Sequence, residues 1–344
     1  MTKAFTKSVF YNSLNYSGVL QYARRSHRND VLILTYHGVL QTGSESYVNR
    51  NCIPADMFEM QLRWLKRHYT VLPLSEVLDG LEGRRTLPEY AATITFDDGF
   101  RNNFINAFPL LLKYNLPATI FLTTDFIGQR GRKMWTEHVD SIIQTSTSRR
   151  LSLQMNGDLA TFDVSNKETK EKASDSIRRY LKTINPAERE KKILSLELQV
   201  DAVRESVEEV DERYAFLTWD DVRNMADGGI EFGSHTMTNS ILSTLSPDEA
   251  RAELRMSKEV IESELQKECN LFSYPNGFER DFTKRDQAIL RELGYRAALS
   301  QITGFNLPGD DMYALKRINI ARSKNFSFFV AKITGVQPRL QKLI

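Results

Sequence analysis

A buried strand and an acidic turn meet in the segment Ala91-Ala-Thr-Ile-Thr-Phe-Asp97-Asp98-Gly99. Short apolar runs bounded by turn residues are typical of strands that lie in the interior of a parallel sheet. Two adjacent carboxylates at the end of such a strand are costly unless a cation neutralises them, and a metal ion meets that need. The alternative is an Asp-Asp-Gly turn in which one Asp caps the following helix. The segment predicts a buried strand and leaves both interpretations of its acidic end open.

Further apolar runs of the same kind occur along the chain, and helical patterns lie between them. The runs cover residues 31–36, 118–122, 230–234, 270–274 and 296–300. Helices are predicted to begin at capping boxes, in which a hydroxyl and a carboxylate satisfy the first free backbone N–H groups, at Thr218, Ser246 and Thr283. Strands that alternate with helices over this length predict an α/β fold with a parallel sheet, either open or closed into a barrel.

Composition excludes several classes of protein. The chain has 344 residues with 46 Lys+Arg against 44 Asp+Glu, and this balance argues against a protein that mainly grips nucleic acid or anionic membranes. The two cysteines, Cys52 and Cys269, are too few for a disulfide framework and form no CxxC pair. The amino terminus lacks the apolar core of a signal peptide, so we expect neither a signal peptide nor a membrane anchor.

The domain organisation follows from where the alternation of strands and helices holds. We expect a helical extension over residues 1–30, one barrel over 31–320 and a carboxyl-terminal tail over 321–344. Residues 141–213 interrupt the alternation, because they contain many charges and no run rich in Val or Ile. We interpret this stretch as a helical insertion or lid within the barrel.

Polar residues follow several of the predicted strands directly. They are His37, His235 and the turn Pro275-Asn276-Gly277, in addition to Asp97 and Asp98. Residues beyond the carboxyl ends of parallel strands converge on one face of a barrel, where active sites are built. Carboxylates and imidazoles are ligands for zinc and similar divalent metals. Asn239 would lie on the same side as His235 if a helical turn began there. Together these residues predict a metal-dependent hydrolase.

Several motifs resemble those of the polysaccharide deacetylase family, also called the NodB-homology or carbohydrate esterase 4 family. They are Thr95-Phe-Asp-Asp-Gly99, Ser234-His-Thr236 and Tyr274-Pro-Asn-Gly277, in this order. Leu34-Thr-Tyr-His-Gly38 resembles the start of the bacterial branch associated with exopolysaccharide synthesis. The resemblance covers roughly residues 31–320, with the insertion poorly matched, and implies an irregular, TIM-like (β/α) barrel of the NodB type.

The resemblance also implies roles for individual residues. Asp97 matches the catalytic base and His37 the general acid of the Tyr-His-Gly branch. Asp98 and His235 match metal ligands, and Asn239 occupies the position of a second histidine ligand. The implied cofactor is a divalent metal ion, zinc in the first place, with cobalt, nickel, manganese and iron as alternatives.

The remaining motif residues are expected to contact the substrate. The turn Tyr274-Pro275-Asn276 matches a groove wall whose backbone N–H binds the oxyanion. Ser273 occupies the place where the family commonly has an arginine. Arg317, which we place after the last strand, could orient Asp97 instead or form a surface ion pair.

The implied activity is removal of N-acetyl groups from a polysaccharide or a lipid-linked glycan. One alternative is a metal-poor, non-catalytic glycan-binding relative, because Asn239 replaces a histidine and no histidine follows His235. Another is a hydrolase of a small linear amide or a formylated sugar. The expected partner is an N-acetylated glycan and not nucleic acid. We expect a cytoplasmic protein, with peripheral contact to the inner face of the membrane or to glycan-synthesis machinery.

Overall fold

The computed structural model describes residues 10–14, 17–43, 51–129, 131–200, 214–323 and 325–336 of the chain. Its strands are β1 (Leu32–Tyr36), β2 (Gly38–Leu40), β3 (Cys52–Pro54), β4 (Thr70–Val71), β5 (Ala91–Phe96), β6 (Thr119–Leu122), β7 (Arg150–Met155), β8 (Asp158–Asp163), β9 (Glu231–Ser234), β10 (Leu271–Ser273), β11 (Ala297–Thr303) and β12 (Leu315–Asn319).

Seven parallel strands close into a barrel. They follow the order β1-β12-β11-β10-β9-β6-β5, and β5 pairs again with β1. All residues of β1 and β5 are buried, as their uninterrupted apolar sequence requires. Every strand predicted from the sequence is present, and the predicted α/β barrel is confirmed.

One barrel strand, β12, was not predicted. We placed Arg317 after the last strand, but it lies within β12, and that expectation is wrong. Charged and polar residues alternate with Leu315 and Ile318, so the segment lacks the apolar run that indicates a buried strand. The strand tolerates Arg317 because the side chain is fully buried against polar partners from neighbouring strands.

Helices surround the barrel. They are α1 (Val19–Ser26), α2 (Ala55–His68), α3 (Leu74–Leu81), α4 (Phe108–Tyr114), α5 (Trp135–Thr145), α6 (Lys167–Leu181), α7 (Pro186–Glu197), α8 (Trp219–Asp227), α9 (Pro247–Leu265), α10 (Lys284–Glu292) and α11 (Phe326–Ile333). The capping boxes predicted at Thr218, Ser246 and Thr283 are present at the starts of α8, α9 and α10. No helix within the described ranges is long and apolar enough to cross a membrane.

The insertion contains a hairpin as well as helices. Strands β7 and β8 pair antiparallel, so the expectation of an entirely helical segment is wrong for this part. The turn between them is Asn156-Gly157, whose positive φ angles of 50° and 93° suit a tight hairpin. Only Leu151 and Leu153 of β7 point into the interior, which explains why no continuous apolar run marks the strand. Residues 201–213 of the predicted insertion lie outside the described residues.

The insertion has an apolar core of its own. The buried members of this cluster are Val139, Ile142, Ile143, Leu151, Leu153, Val164, Ala173, Ile177, Tyr180, Leu181, Ile193, Leu196 and Val200. Leu20 of α1 and Phe329 of α11 belong instead to the cluster of the barrel. The two described terminal helices therefore pack on the barrel, whereas the insertion is stabilised largely by its own side chains. The domain boundaries given above stay predictions.

Substitution of Gly233 by Ala should destabilise the barrel. A Cβ at this position would lie 2.7 Å from the carbonyl oxygen of Leu271 and 2.7 Å from the ring of Phe121. Overpacking of this kind costs about 1–3 kcal/mol, so the urea midpoint of unfolding measured by circular dichroism should fall. Ser195→Ala, on the exposed face of α7, serves as the control with a change within about 0.5 kcal/mol. An unchanged midpoint in Gly233→Ala would contradict the close approach of these strands.

Candidate active site

A cavity of about 520 Å³ opens at the carboxyl end of the barrel strands. Among the sequence-predicted site residues, those that line it are His37, Asp97, Asp98, His235, Asn239 and Asn276. Tyr274, Pro275 and Arg317 do not line it. The barrel thus brings together residues that are far apart in sequence, because each follows a parallel strand and all these strands end on the same face.

Asp97 is buried and held by four hydrogen bonds from three residues. The guanidinium of Arg317 donates to both carboxylate oxygens, at 2.9 and 2.8 Å. Ser273 Oγ donates to Oδ1 at 3.1 Å, and Gln301 Nε2 donates to Oδ2 at 3.2 Å. A bidentate pair fixes the plane of a carboxylate as well as its position. Asp97 therefore has one defined orientation in the cavity wall.

The electrostatic environment keeps Asp97 ionised. Burial by itself raises the pKa of this carboxyl, but the charge and the hydrogen bonds of Arg317 outweigh burial and hold the pKa below its usual range. Arg317 is not on the surface, where we had left open an ion pair, but is completely buried. Its remaining donors reach Ser300 O at 2.7 Å and Ser273 Oγ at 2.8 Å.

Asp98 and His235 face each other in the same cavity. His235 Nε2 lies 3.5 Å from Asp98 Oδ1, and His235 Nδ1 lies 2.8 Å from the carbonyl oxygen of Ser273. A carbonyl only accepts, so Nδ1 carries the proton and Nε2 presents a lone pair toward the carboxylate. Burial lowers the pKa of His235, which keeps the ring neutral. Two acceptors that face each other need a cation or a proton between them.

The surroundings of Asp98 disfavour its ionised form. Burial, the neighbouring charge of Asp97 and the charge of Glu137 together raise the pKa of Asp98 well above its usual value. The main chain at Asp98 and Gly99 has φ angles of 77° and 81°, which turn it sharply away from the strand. Gly99 is required there, because a Cβ would lie 3.0 Å from Leu122 and 3.1 Å from Ile127.

Asn239 contacts Asp98 from an irregular loop and not from a helical turn. The helical turn that we expected from His235 is absent, since Thr236 and Asn239 have φ angles of 63° and 59° in an irregular loop. Glu253 of α9 holds the loop by accepting the backbone N–H groups of Met237 and Thr238 at 2.8 and 3.0 Å. Asn239 Nδ2 then donates to Asp98 Oδ1 at 2.9 Å.

The donor set fits a divalent metal ion only in part. Asp98 offers a carboxylate oxygen and His235 an unprotonated Nε2, which are suitable ligands. Asn239 turns its amide nitrogen to Asp98, so its oxygen could ligate only after the amide rotated. Within the described part of the chain, no three His, Cys, Asp or Glu side chains are grouped as a metal site would require. The set therefore suits a metal ion held by two strong ligands and a weaker amide.

Tyr274 and Pro275 support the cavity wall from behind. Tyr274 is buried, stacks on Phe282 with ring centroids 4.0 Å apart and donates from its hydroxyl to the carbonyl oxygen of Tyr313 at 3.0 Å. Pro275 is also buried. These side chains lie in the core, so only Asn276 of the turn reaches the cavity.

The turn leaves one backbone N–H available. The Tyr274 N–H donates to Leu299 O, Pro275 has no N–H, and the Gly277 N–H donates to Pro275 O. The Asn276 N–H donates to no acceptor in the described part of the chain. The Asn276 backbone is held at a φ of 61°. This N–H is the group in the turn that could bind an oxyanion.

His37 faces the cavity from the end of β1. Its Nδ1 is buried and has no hydrogen-bond partner among the described residues. Burial lowers the pKa of His37 to about 4, against the opposing charge of Asp97. The imidazole is therefore neutral at pH 7 and is not locked by a neighbour, which leaves it able to exchange a proton with a bound molecule.

Sequence reasoning missed the residues that the insertion contributes to the cavity. Glu137 of α5 lines it, and burial raises the pKa of Glu137 to about 7. Arg178, Arg179 and Lys182 line it from the end of α6. Charged helix faces are usually solvated, and no local motif in this segment indicates which face lines the cavity. Gln301 was also missed, since an isolated polar residue near a strand end carries no motif.

Comparison with known proteins identifies the family. A family model described as polysaccharide deacetylase matches residues 84–298, which is more than half of the chain. The chain belongs to the polysaccharide deacetylase family. The resemblance to this family is thereby confirmed, whereas the assignment of Leu34-Thr-Tyr-His-Gly38 to one branch of it stays a prediction. Over 306 residues it is 22% identical to the protein YxkH of Bacillus subtilis, covering 89% of this chain and 76% of that protein.

A shorter region of the chain is more similar to another relative. It is 35% identical over 113 residues to the poly-beta-1,6-N-acetyl-D-glucosamine N-deacetylase of Staphylococcus epidermidis, over 29% of this chain and 38% of that enzyme. The fold is similar to Streptococcus pyogenes deacetylase PplD, with a TM-score of 0.58, 19% identity and coverage of 88% and 98% of the two chains. The fold is also similar to that of IcaB from Ammonifex degensii, with a TM-score of 0.57 and 18% identity. The match covers 89% of this chain and 97% of IcaB.

Replacement of Arg317 by Met should destabilise this family member strongly at neutral pH. The substitution leaves Asp97 buried without its counter-ion, which costs about 3–5 kcal/mol. In the wild type, the depressed pKa of Asp97 contributes stability above its unfolded-state value of about 3.9, and this contribution is lost as pH falls. In the variant, burial without the counter-ion raises the pKa of Asp97. Acidification then protonates Asp97, removes the buried charge and restores part of the free energy of unfolding.

The urea midpoints of the two proteins should therefore differ most near pH 7 and approach each other toward pH 5. Arg251→Gln removes an exposed ion pair with Glu292 and is the control, with a change below about 1 kcal/mol. A difference that does not depend on pH would show that Asp97 is not the group left uncompensated.

Proposed function

We propose that the protein is a metal-dependent hydrolase that removes N-acetyl groups from a polysaccharide or a lipid-linked glycan. The observation that carries the proposal is the arrangement at the strand ends. An ionised, fixed Asp97 stands beside Asp98 and His235, whose acceptor atoms lie 3.5 Å apart. A polar cavity that also holds an available backbone N–H and a neutral imidazole supplies the groups that amide hydrolysis needs.

Asp98 and His235 would hold the metal ion, with Asn239 as a weaker third ligand. When bound, a divalent metal polarises a carbonyl and lowers the pKa of water, which is the chemistry that hydrolysis of an acetamide requires. The second histidine is absent at position 239, so we expect weaker metal affinity than a set with two imidazoles would give.

Asp97 would accept the proton of the attacking water. Its four hydrogen bonds fix the carboxylate in one orientation, which favours attack along one direction. The Asn276 N–H would bind the oxygen that becomes negative in the tetrahedral intermediate. His37 would deliver a proton to the departing amine. Because His37 is neutral at pH 7, it must first gain a proton, and the one released by the water is available in the same cavity.

The relatives support the substrate class. The Staphylococcus epidermidis relative is a deacetylase of poly-beta-1,6-N-acetyl-D-glucosamine, and the structure of Streptococcus pyogenes PplD is a complex with acetate, the acid that deacetylation releases. A cavity of about 520 Å³ with many polar side chains suits a sugar ring with its acetamido group.

A second candidate is a metal-poor glycan-binding protein. Asn239, which stands where a second histidine ligand would be expected, favours this candidate. The two candidates differ in whether purified protein contains a metal ion and releases acetate.

Substitution of the proton-transfer residues should abolish deacetylation. Asp97→Asn and His37→Gln should each lower kcat/KM for acetate release from an N-acetylated oligosaccharide by roughly 10²–10⁴-fold, because each removes one acid–base group. His68→Gln, a histidine of α2 outside the cavity, is the control and should leave the rate unchanged. Near-full turnover of metal-loaded Asp97→Asn would refute the role given to Asp97.

The metal content tests the choice between enzyme and binding protein. Protein purified without chelators should contain a divalent ion, measured by plasma mass spectrometry, and should lose it on dialysis against EDTA. Asn239→His should bind zinc more tightly, by roughly ten-fold or more in the dissociation constant, because imidazole is the stronger ligand. His235→Gln is the matched loss variant. A wild type without metal that also fails to bind added zinc would support the glycan-binding candidate.

A further inference from the structure

The end of α6 covers the catalytic cavity with one charged face. Asp175, Arg178, Arg179 and Lys182 follow the i, i+3, i+4, i+7 spacing of a single helix face, and all four line the cavity. The opposite face of the same helix is buried in the apolar core of the insertion through Ala173, Ile177 and Leu181. Packing of one face of α6 in the insertion core thus determines which of its side chains line the cavity.

The cations of this face are not equally neutralised. Arg178 forms ion pairs with Asp140 at 2.8 Å and with Asp175 at 3.0 Å, so its charge is balanced within the insertion. Arg179 is exposed and has no ion pair within the described residues. Lys182 donates to Oδ1 of Asn276 at 2.5 Å, which is a neutral partner.

A third cation faces the same cavity from the barrel. Arg280 is 73% exposed, and its nearest carboxylate, that of Asp281, lies 3.6 Å away. Asp281 also accepts hydrogen bonds from Asn276 Nδ2 and from the Phe278 N–H. Asp281 is therefore shared among several donors and neutralises Arg280 only in part. Carboxyl groups also line the cavity, those of Asp97, Asp98, Glu137 and Asp175. Arg317 balances Asp97, and Arg178 pairs with Asp175. Among the described residues, neither Asp98 nor Glu137 forms an ion pair with Arg179, Lys182 or Arg280.

We propose that Arg179, Lys182 and Arg280 form a subsite for an anionic group, phosphate or carboxylate, that the N-acetylated glycan itself carries. The inference rests on the proposed function and narrows its substrate class. Ammonium and guanidinium groups that carboxylates do not fully neutralise can bind phosphate and carboxylate.

The product of the reaction supports the same conclusion. Each deacetylation of a neutral N-acetylglucosamine polymer creates an ammonium group, and a long deacetylated stretch would be repelled by this cationic wall. A glycan that carries an anionic group next to the acetamido sugar would be attracted both before and after hydrolysis. The wall therefore favours an anionic substrate over a neutral homopolymer.

The test compares three oligosaccharides of equal length with the full, metal-loaded protein. One is a neutral β-1,6-linked N-acetylglucosamine trisaccharide, one carries a phosphate at its reducing end, and one contains glucuronate next to N-acetylglucosamine. Acetate release at low salt should favour the phosphate or the glucuronate substrate over the neutral one by roughly ten-fold or more in kcat/KM. The preference should fall as salt is added, because Arg179 and Arg280 are exposed.

Variants identify the groups that carry the preference. Arg179→Gln should lower the ratio of anionic to neutral kcat/KM by roughly three- to ten-fold and leave the neutral substrate nearly unaffected. Lys182→Gln should lower the same ratio by a similar factor. Lys182→Arg should retain the ratio in large part. Lys172→Gln is the matched control, since Lys172 lies on the same helix outside the cavity and pairs with Glu168.

Equal kcat/KM values for the three substrates would overturn the inference while leaving the deacetylase function standing. A preference that survives in both Gln variants would overturn it as well. If none of the substrates releases acetate, the proposed function fails, and calorimetric binding of the phosphorylated and neutral trisaccharides then decides the inference on its own. Tighter binding of the phosphorylated one, weakened in Arg179→Gln, supports the subsite, and equal binding refutes it.

Discussion

The buried ion pair between Asp97 and Arg317 is the interaction on which the rest of the site depends. Neither group could stay in the interior alone, because a buried charge without a partner is strongly destabilising. Closure of the barrel makes the pair feasible, since β5 and β12 both flank β1 and bring the two side chains to 2.8 Å. Ser273 of β10 contacts both members, and its carbonyl sets the tautomer of His235. One network therefore fixes the carboxylate and the imidazole together.

The insertion adds charged side chains to a cavity that the barrel builds. The barrel side of the cavity carries the groups for hydrolysis, whereas α6 adds cations above them. The contact from Lys182 to Asn276 joins the two parts at the turn that holds the available N–H. Because the insertion has its own apolar core, its cavity-facing residues can change without disturbing the strands that hold Asp97 and His235.

The sequence predicts the barrel better than it predicts what covers it. Fully buried strands such as β5 leave an apolar run, and the polar residues after them converge by topology, so the positions of Asp97, Asp98 and His235 could be inferred. Strand β12 could not be inferred from the sequence, because its Arg317 is stabilised by partners from distant segments that no local pattern shows. The cavity-facing side of α6 is hidden for a similar reason, since a charged face looks the same whether it meets water or an active site. The hairpin signal Asn156-Gly157 was available and was overlooked.

Asp97 contributes orientation rather than strong basicity. A carboxylate that accepts four hydrogen bonds and faces a buried guanidinium has a depressed pKa, so it takes a proton only from a donor that is itself acidic. The lone pair of His235 and the carboxyl group of Asp98, set 3.5 Å apart, form the place where a cation would create such a donor. The low basicity of Asp97 and the facing acceptor atoms of Asp98 and His235 thus both point to a need for a cation. In the proposed function, activity would therefore depend on how well Asn239 completes that pair as a ligand, and not on a stronger base.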